Sequence, residues 1–309
     1  MSESKQSSKL MEVRSLQLSD WDEWCVLWRE YLSFYETERP PEVFKSMFDG
    51  IMSGGDHEFH GFVAVDASGV LVGLVHYLFH RSGWSIENKK CYLHDLFVSP
   101  TARGSGAGRC LIEAVYAKAE ESHADPVYWL THECNTQARG LYDKVGVLTP
   151  FVQYVRKQSS QVTHLAPQSP PPSTTTVRML QASDWEQWCV LWRGYLTFYE
   201  TELPPEVFSS TFDRMLSGDH HEFQGLVAVD ATGMLIGLVH YLFHLSWCIE
   251  GYKCYLQDLF VSPAARGSGA GRALIEAVYA KADERNASAP PPVYWFTQTF
   301  NLQARILYD

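Results

Sequence analysis

The hydrophobic positions in the first part of the chain follow two different periods. Between residues 20 and 35, large apolar side chains recur every three or four residues, which predicts an amphipathic helix. The pair Pro40-Pro41 breaks this pattern, and residues 42–52 predict a second helix. Residues 61–66 and 70–80 are strand-like runs that flank an Ala-Ser-Gly turn, so they predict a β-hairpin.

Strands and helices alternate in the part of the chain that follows. The predicted elements are a strand at 90–98, a glycine-rich turn, a helix at 111–119, a short strand at 127–131, a short helix at 135–142 and a final strand at 151–156. This order of elements predicts an α/β fold in which a mixed sheet has helices on both sides.

Almost the whole pattern occurs twice. Asp20–Arg29 matches Asp184–Arg193, and Gly73–His80 matches Gly237–His244. The period is too long for a solenoid, so the sequence predicts a tandem duplication of a domain. The predicted organisation is a disordered tail at 1–9, a first domain at 10–157, a Pro/Ser/Thr-rich linker at 158–176 and a second domain at 177–309.

The second repeat has no counterpart of the strand at 151–156. We therefore expect the second fold to lack its last strand, which would expose a sheet edge and loosen the helix that ends at Tyr308. On this basis the second domain is expected to be the weaker or inactive one. Three explanations are open: a fragment, a degenerate fold, or a strand borrowed from the first repeat or from another chain.

A glycine-rich motif stands between a strand and a helix in each repeat. It reads Val98-Ser-Pro-Thr-Ala-Arg-Gly-Ser-Gly-Ala-Gly-Arg109, and it returns almost unchanged at 261–272. Helix N-terminal amides beside such a turn form an anion-binding cradle. A P-loop is excluded because Arg109 and Cys110 follow Gly108, and the glycine spacing does not fit a dinucleotide fingerprint. The alternative is a glycine-rich turn that binds no ligand. The occurrence of the motif in the same context in both repeats argues against this alternative.

Charge and composition narrow the function further. The formal net charge of −11 disfavours nucleic acid as a partner and suits a cationic acceptor. No apolar run reaches membrane-spanning length and no signal-peptide core is visible, so we expect no membrane association and a cytoplasmic or nuclear location. The seven cysteines show no metal-ligand spacing, which predicts buried free thiols and no metal site.

Four segments of the first repeat carry a family resemblance. Residues 28–36, 92–98, 127–129 and 135–146 resemble the yeast histone and polyamine acetyltransferase subfamily of the GNAT superfamily, and Arg-x-x-Gly-x-Gly resembles the pyrophosphate loop of that superfamily. The resemblance implies a bent sheet whose fourth and fifth strands splay apart. It also implies acetyl-CoA as cofactor and direct acetyl transfer to a primary amine, such as a polyamine, a lysine side chain of a histone tail, or an amino acid.

The resemblance assigns the cofactor site to loop amides, strand backbone and a helix cap. The loop positions are Arg103, Gly104, Ser105, Gly106, Ala107, Gly108 and Arg109 in the first repeat, and Arg266, Gly267, Ser268, Gly269, Ala270, Gly271 and Arg272 in the second. The strand positions, which would hold the pantetheine arm and acetyl carbonyl through their backbone, are Leu96, Phe97, Val98, Leu259, Phe260 and Val261. The caps are Asn135 and Asn301.

Proton transfer has candidates in both repeats. By resemblance, Tyr142 and Tyr308 would protonate the leaving thiolate. Asp95 and Asp258 lie within otherwise apolar strand runs, where aspartate is disfavoured, so each is either a general base or a structural hydrogen-bond acceptor. His94 is a second candidate base, but Gln257 replaces it in the second repeat.

The junction of the first two helices is the expected acceptor wall. The candidate residues are Tyr35, Glu36, Glu38, Glu200 and Glu202, and a solvated acidic face is the alternative for the glutamates. A homodimer and a pairing of the two repeats within one chain are both compatible with the sequence. The competing function is a non-catalytic acyl-CoA-binding or dimerisation module, above all for the second domain.

Overall fold

The chain forms two compact units whose boundaries differ from those of the repeats. The computed structural model describes residues 11–84, 89–157, 175–246, 251–287 and 289–309. The first unit contains residues 1–80 and 89–148, and the second contains residues 81–88 and 149–309. The predicted tail at 1–9 and most of the predicted linker lie outside the described residues.

The first unit is a sheet of five strands with helices on both faces. Its elements are β1 (Glu12–Ser15), α1 (Trp21–Phe34), α2 (Pro41–Ser53), β2 (His60–Val65), β3 (Leu71–Arg81), β4 (Lys89–Val98), α3 (Ala107–Glu121), β5 (Ala124–Tyr128) and α4 (Thr136–Val145). The strand order is β1-β2-β3-β4-β5, with β4 and β5 parallel. The sequence pattern did not predict the short strand β1.

The second unit repeats this plan and adds one strand. Its elements are β6 (Phe151–Val155), β7 (Thr176–Met179), α5 (Trp185–Phe198), α6 (Pro205–Leu216), β8 (Gln224–Val229), β9 (Leu235–Ser246), β10 (Gly251–Val261), α7 (Ala270–Arg285), β11 (Val293–Gln298) and α8 (Leu302–Tyr308). The strand order is β6-β11-β10-β9-β8-β7. The α/β class and the duplication are therefore confirmed.

The strand β6 corrects one expectation about this duplication. It was predicted to close the first sheet, but it pairs antiparallel with β11 of the second sheet, with Tyr154 opposite Trp295. The second sheet therefore does not lack its last strand, because the first repeat supplies it. Alternating apolar positions predict that a strand forms, but they do not specify which sheet edge it joins.

Large aromatic side chains fill one face of each sheet. Trp24 and Trp28 of α1 and Trp188 and Trp192 of α5 are fully buried, as the three-to-four-residue spacing predicted. On the opposite face, α3 and α7 each bury a stripe of aliphatic side chains against their sheet. Within the described ranges, no helix combines the length and apolar character needed to cross a membrane, and no cluster of three or more His, Cys, Asp or Glu is arranged to hold a metal ion.

Candidate active site

Two glycines in each loop hold the backbone in a conformation that other residues rarely adopt. Gly104 and Gly106 have φ values of 80° and 93°, and Gly267 and Gly269 have 83° and 86°. A Cβ atom at any of these four positions would meet nothing within 4 Å, so the loop faces open space. Since the first amides of α3 and α7 lack intrahelical acceptors, this surface fits the pyrophosphate of acetyl-CoA.

The third glycine of the motif serves packing. A Cβ at Gly108 would lie 3.1 Å from Leu141 Cδ2, and at Gly271 3.1 Å from Leu307 Cδ2. These close approaches bring the short helices α4 and α8 against the cradle helices. Arg103 spans the loop, because its guanidinium donates to the carbonyl of Val98 at 3.3 Å. This contact supports the predicted loop-shaping role of the arginine.

The two parallel strands beside each cradle pair only over their first residues. The last paired residues are Tyr92 with Tyr128 in the first unit and Tyr255 with Tyr294 in the second, although β4 and β10 continue to Val98 and Val261. The strand segments predicted to hold the pantetheine arm therefore have no partner on this side among the described residues. Along the chain, each unpaired strand end is followed by the glycine-rich loop.

A half-buried tyrosine lies on each short helix. Burial raises the pKa of Tyr142 to about 12, helped by the nearby Tyr35, and its ring centroid is 5.3 Å from that of Trp129. Burial likewise raises the pKa of Tyr308 well above its ordinary value. Both phenols are therefore protonated at neutral pH, as an acid must be.

The asparagines predicted to cap these helices do so. Asn135 Oδ1 accepts a hydrogen bond from the amide of Ala138 at 3.4 Å, and Asn301 Oδ1 accepts from the amide of Ala304 at 3.3 Å. These bonds satisfy amides that would otherwise lack a partner at the helix start. Each asparagine thereby fixes the start of the helix that carries the candidate acid.

Asp95 ends a buried chain of hydrogen bonds that the sequence did not reveal. Trp24 Nε1 donates to His76 Nε2 at 2.9 Å, and His76 Nδ1 lies 2.9 Å from one carboxylate oxygen of Asp95. Because an indole N–H can only donate, Nε2 of His76 accepts, and its Nδ1 donates to the carboxylate. His94 Nδ1 lies 2.9 Å from the other oxygen.

These partners decide the charge state of Asp95. Burial alone would raise the pKa of this carboxyl, but the neighbouring His94 and His76 outweigh it and hold the pKa far below its usual range. The carboxylate is 1% exposed and stays ionised. Since a weakly basic, enclosed carboxylate is a poor proton acceptor, the geometry favours the structural alternative for Asp95 over the general-base role.

Asp258 has an equivalent chain in the second unit. Trp188 Nε1 donates to His240 Nε2 at 3.0 Å, and His240 Nδ1 lies 2.9 Å from Asp258 Oδ2. Gln257, at the position of His94, donates to the same oxygen at 3.1 Å. Burial opposes ionisation here too, but the bonds from His240 and its neighbours lower the pKa of Asp258. The sequence signal that could have revealed these bonds is the presence of identical histidines, His76 and His240, in the matching runs 73–80 and 237–244.

The predicted acceptor wall lies where α1 and α5 end. Glu36 and Glu200 have φ values of 51° and 52°, and both side chains are exposed, as are those of Glu38 and Glu202. Tyr35 is 37% exposed, and its ring lies 5.8 Å from that of His132. A glutamate in the left-handed region is strained, and repetition of the strain in both units marks this corner as a candidate functional surface.

Comparisons with known proteins agree with this geometry. A family profile described as the acetyltransferase (GNAT) family matches residues 21–147 and again 185–309. The chain is 41% identical over 133 residues to the D-amino-acid N-acetyltransferase HPA3 of Saccharomyces cerevisiae, which covers 43% of this chain and 80% of the yeast protein. It is 29% identical over 147 residues to the uncharacterized N-acetyltransferase YhfO of Bacillus subtilis, covering 47% of this chain and 95% of the bacterial protein.

Solved structures share the fold. An N-acetyltransferase from Sphaerobacter thermophilus superposes with a TM-score of 0.50 at 17% identity, over 94% of this chain and 88% of that one. The glucosamine N-acetyltransferase region of a fungal multi-domain β-N-acetylglucosaminidase gives a TM-score of 0.55 at 15% identity, over 96% of this chain and 36% of the fungal one. The chain thus belongs to the GNAT family of acetyltransferases as a tandem pair of its domains, and it is an acyltransferase whose acetyl donor is the acetyl-CoA that this family binds.

Proposed function

We propose that each unit transfers the acetyl group of acetyl-CoA to the primary amine of a small acceptor of the amino-acid type. The observation that carries this proposal is that each unit combines an open glycine cradle, a splayed strand and a half-buried protonated tyrosine. The amino-acid class is supported by the 41% identity to a D-amino-acid N-acetyltransferase.

The residues divide the work as follows. Acetyl-CoA supplies an activated thioester when it is bound. The amides of Gly104–Arg109 and Gly267–Arg272 bind the pyrophosphate, and the free edges of Leu96–Val98 and Leu259–Val261 hold the pantetheine amides and polarise the acetyl carbonyl. The acceptor attacks as the free amine, after its ammonium form has lost one proton to bulk water. As the new C–N bond forms and the C–S bond breaks, the tyrosine hydroxyl gives its proton to the leaving sulfur, and the second proton released by the amine nitrogen returns through water to the tyrosine.

Asp95 and Asp258 act in this proposal through their charge. Each is a buried, ionised carboxylate on the strand that would hold the thioester, directly before the segment Leu96–Val98 or Leu259–Val261. A fixed negative charge there favours an acceptor that arrives as an ammonium ion. The exposed Glu36, Glu38 and Glu200 add to the acidic field. That field favours a second candidate acceptor class, polyamines and lysine-rich tails.

A panel of amines separates these classes. We expect the full chain to release CoA from acetyl-CoA with amino acids of either hand at higher kcat/KM than with polyamines or a lysine-rich peptide. Thiol release and mass spectrometry of the acetylated product are the measurements. A chain that binds acetyl-CoA but acetylates none of these amines would instead be the non-catalytic acyl-CoA-binding module.

Replacement of Tyr142 by phenylalanine tests the acid. With the second cradle inactivated by Gly269→Val, Tyr142→Phe is expected to lower kcat about 10²-fold while acetyl-CoA binding persists. Because its pKa is about 12, Tyr142 keeps its proton through pH 10, so its ionisation should not cause kcat to fall between pH 8 and 10.

A matched control removes a different hydroxyl from the same neighbourhood. Tyr116 donates to the carbonyl of Val145 at the end of α4, at 2.7 Å. Tyr116→Phe should leave kcat within a few-fold of the parent. An equal loss of kcat in both variants would mean that Tyr142 only supports packing.

The strained glutamate at the acceptor wall gives a second test. Glu36→Gly should raise the free energy of unfolding by about 0.5–1 kcal/mol, because glycine adopts the left-handed conformation without strain. The same variant should raise KM for the acceptor. Glu38→Gly removes an equal charge at a position where φ is not positive. This control should not raise the free energy of unfolding measured by urea titration. Equal unfolding midpoints for the two variants would contradict the assignment of strain.

A further inference from the structure

We propose that Trp84, although encoded in the first repeat, is an acceptor-wall and positioning residue of the second unit: it orients the carboxylate of Asp258 and limits the size of the amine. This inference rests on the proposed acetyl transfer by the second unit. It assigns acceptor selection there to a side chain that the second repeat does not encode.

The segment that carries Trp84 is firmly anchored in the second unit. Thr211 Oγ1 donates to the carbonyl of Gly83 at 3.0 Å in a fully buried bond, and Arg81 Nε lies 3.2 Å from Glu222 Oε1. A Cβ at Gly83 would lie 3.4–3.6 Å from Thr211, Gln257 and Phe223, which is ordinary packing contact. The segment is thus a built part of this unit, and it presents Trp84 in a fixed position.

The indole of Trp84 completes the hydrogen bonding of Asp258. Its Nε1 donates to Asp258 Oδ1 at 3.1 Å, whereas His240 and Gln257 both bond to Oδ2. The hydroxyl of Tyr195 also bonds to this carboxylate. A carboxylate that accepts bonds on both oxygens is fixed in orientation as well as in charge.

The same indole forms an aromatic corner with two tyrosines. Its ring centroid lies 5.9 Å from that of Tyr195 and 6.1 Å from that of Tyr199, in edge-to-face arrangements. Trp84 and Tyr199 are both partly exposed, and Tyr199 directly precedes Glu200 of the acceptor wall. Tyr199 also bonds to Asn301, the cap of the helix that carries Tyr308. Aromatic faces beside a carboxylate are suited to an ammonium group.

The geometry makes Trp84 a determinant of acceptor size. Because an indole is the largest side chain that an amino acid can place in this wall, its removal should admit bulkier amines. The same removal should lower the affinity for small amines. Trp247 stands at the matching place in the second repeat, outside the described residues.

The experiment uses the full chain carrying Gly106→Val, so that turnover reports the second unit. Trp84→Ala is expected to raise KM for a small amino acid about 10-fold. It should also raise the bulky-to-small ratio, which is kcat/KM for a bulky aromatic amine divided by kcat/KM for the small amino acid. The affinity for acetyl-CoA should stay unchanged. Trp84→Phe keeps a ring but loses the N–H, so it should keep the size preference and raise KM less. Trp185→Phe, a partly exposed tryptophan at the start of α5, is the control and should change neither quantity.

Two outcomes overturn the inference. The first is that Trp84→Ala changes neither the KM for the small amino acid nor the bulky-to-small ratio. The second is that both Trp84 variants lose acetyl-CoA affinity in parallel with the rise in KM, which would indicate general disorder of the site. Calorimetric binding of the small amine to the CoA-loaded chain keeps the test independent of turnover. The parent could bind the amine without acetylating it, in which case the proposed activity fails. Weaker amine binding by Trp84→Phe and Trp84→Ala would then still support the acceptor-wall role of Trp84, and unchanged amine binding would refute that role.

Discussion

The double variant Gly106→Val/Gly269→Val is expected to fold and to lose acetyl transfer almost completely. Valine at either position would place a branched side chain in the open space over the cradle and strain a backbone held at φ near 90°. The loss of two charge-assisted bonds to the pyrophosphate, at about 1.5–3 kcal/mol each, corresponds to about a 10²–10⁴-fold loss of acetyl-CoA affinity. Calorimetric titration with acetyl-CoA measures this loss.

Two hairpin glycines provide the control. Gly69 and Gly233 have φ values of 89° and 86°, and a Cβ at either would also meet open space. Gly69→Val/Gly233→Val therefore imposes the same backbone strain outside the cradle and should leave acetyl-CoA affinity unchanged. If both double variants lose affinity equally, strain explains the effect and the cradle assignment fails.

The single variants compare the two units. The expectation of a weaker second domain rested on a missing strand, and β6 removes that reason. We therefore expect Gly106→Val and Gly269→Val each to leave measurable turnover with some acceptor. Complete loss in either single variant would show that only one unit is catalytic.

A proline in β6 should disable the second unit. In the antiparallel register, the backbone amide of Arg156 donates to the carbonyl of Val293. By alternation along the strand, the backbone amide of Val152 donates to the carbonyl of Thr297. Val152→Pro removes that bond and leaves a carbonyl unpaired, at a cost of about 1–3 kcal/mol. With Gly106→Val in the background, we expect kcat to fall at least 10-fold.

The loss of activity would come through the helix α8. Tyr154 of β6 donates to the carboxylate of Asp309 at 2.9 Å, and its ring packs on that of Tyr308 at 5.2 Å. Displacement of the acid by about 1 Å can reduce the rate about 10²-fold. Gln153→Pro is the control, because the Gln153 amide faces away from β11 by the same alternation. Equal kcat in Val152→Pro and the parent would show that β6 does not support the site.

The sequence predicted the repeated features well. The spacing of tryptophans in α1 and α5 reflects burial on one helix face, and the glycine motif needs a left-handed backbone that few residues adopt. Both are local effects. The helices and the glycine cradle are therefore visible in the order and spacing of the amino acids, whereas the roles of the strand backbone and the helical tyrosine are predictions from the family resemblance.

The remaining features depend on contacts between distant residues. The bonds of His76 and His240 to the buried aspartates, and that of Trp84 to Asp258, join residues from separate elements. Neither periodicity nor spacing encodes such pairs. The edge that β6 selects is likewise a choice between two similar sheets, which the alternation of its five residues cannot make.

The position of β6 in the chain also sets an order of events during synthesis. Tyr154 is 155 positions from its partner Asp309, and Trp84 is 174 positions from Asp258. At about 5–20 residues per second, the ribosome needs roughly 8–30 s to deliver the partner of a β6 that has already been made. During that interval the strand is available to the β11 edge of a neighbouring nascent chain. We therefore expect the yield of the intrachain arrangement to fall when nascent chains lie close together, even if the stability of the finished fold is unchanged.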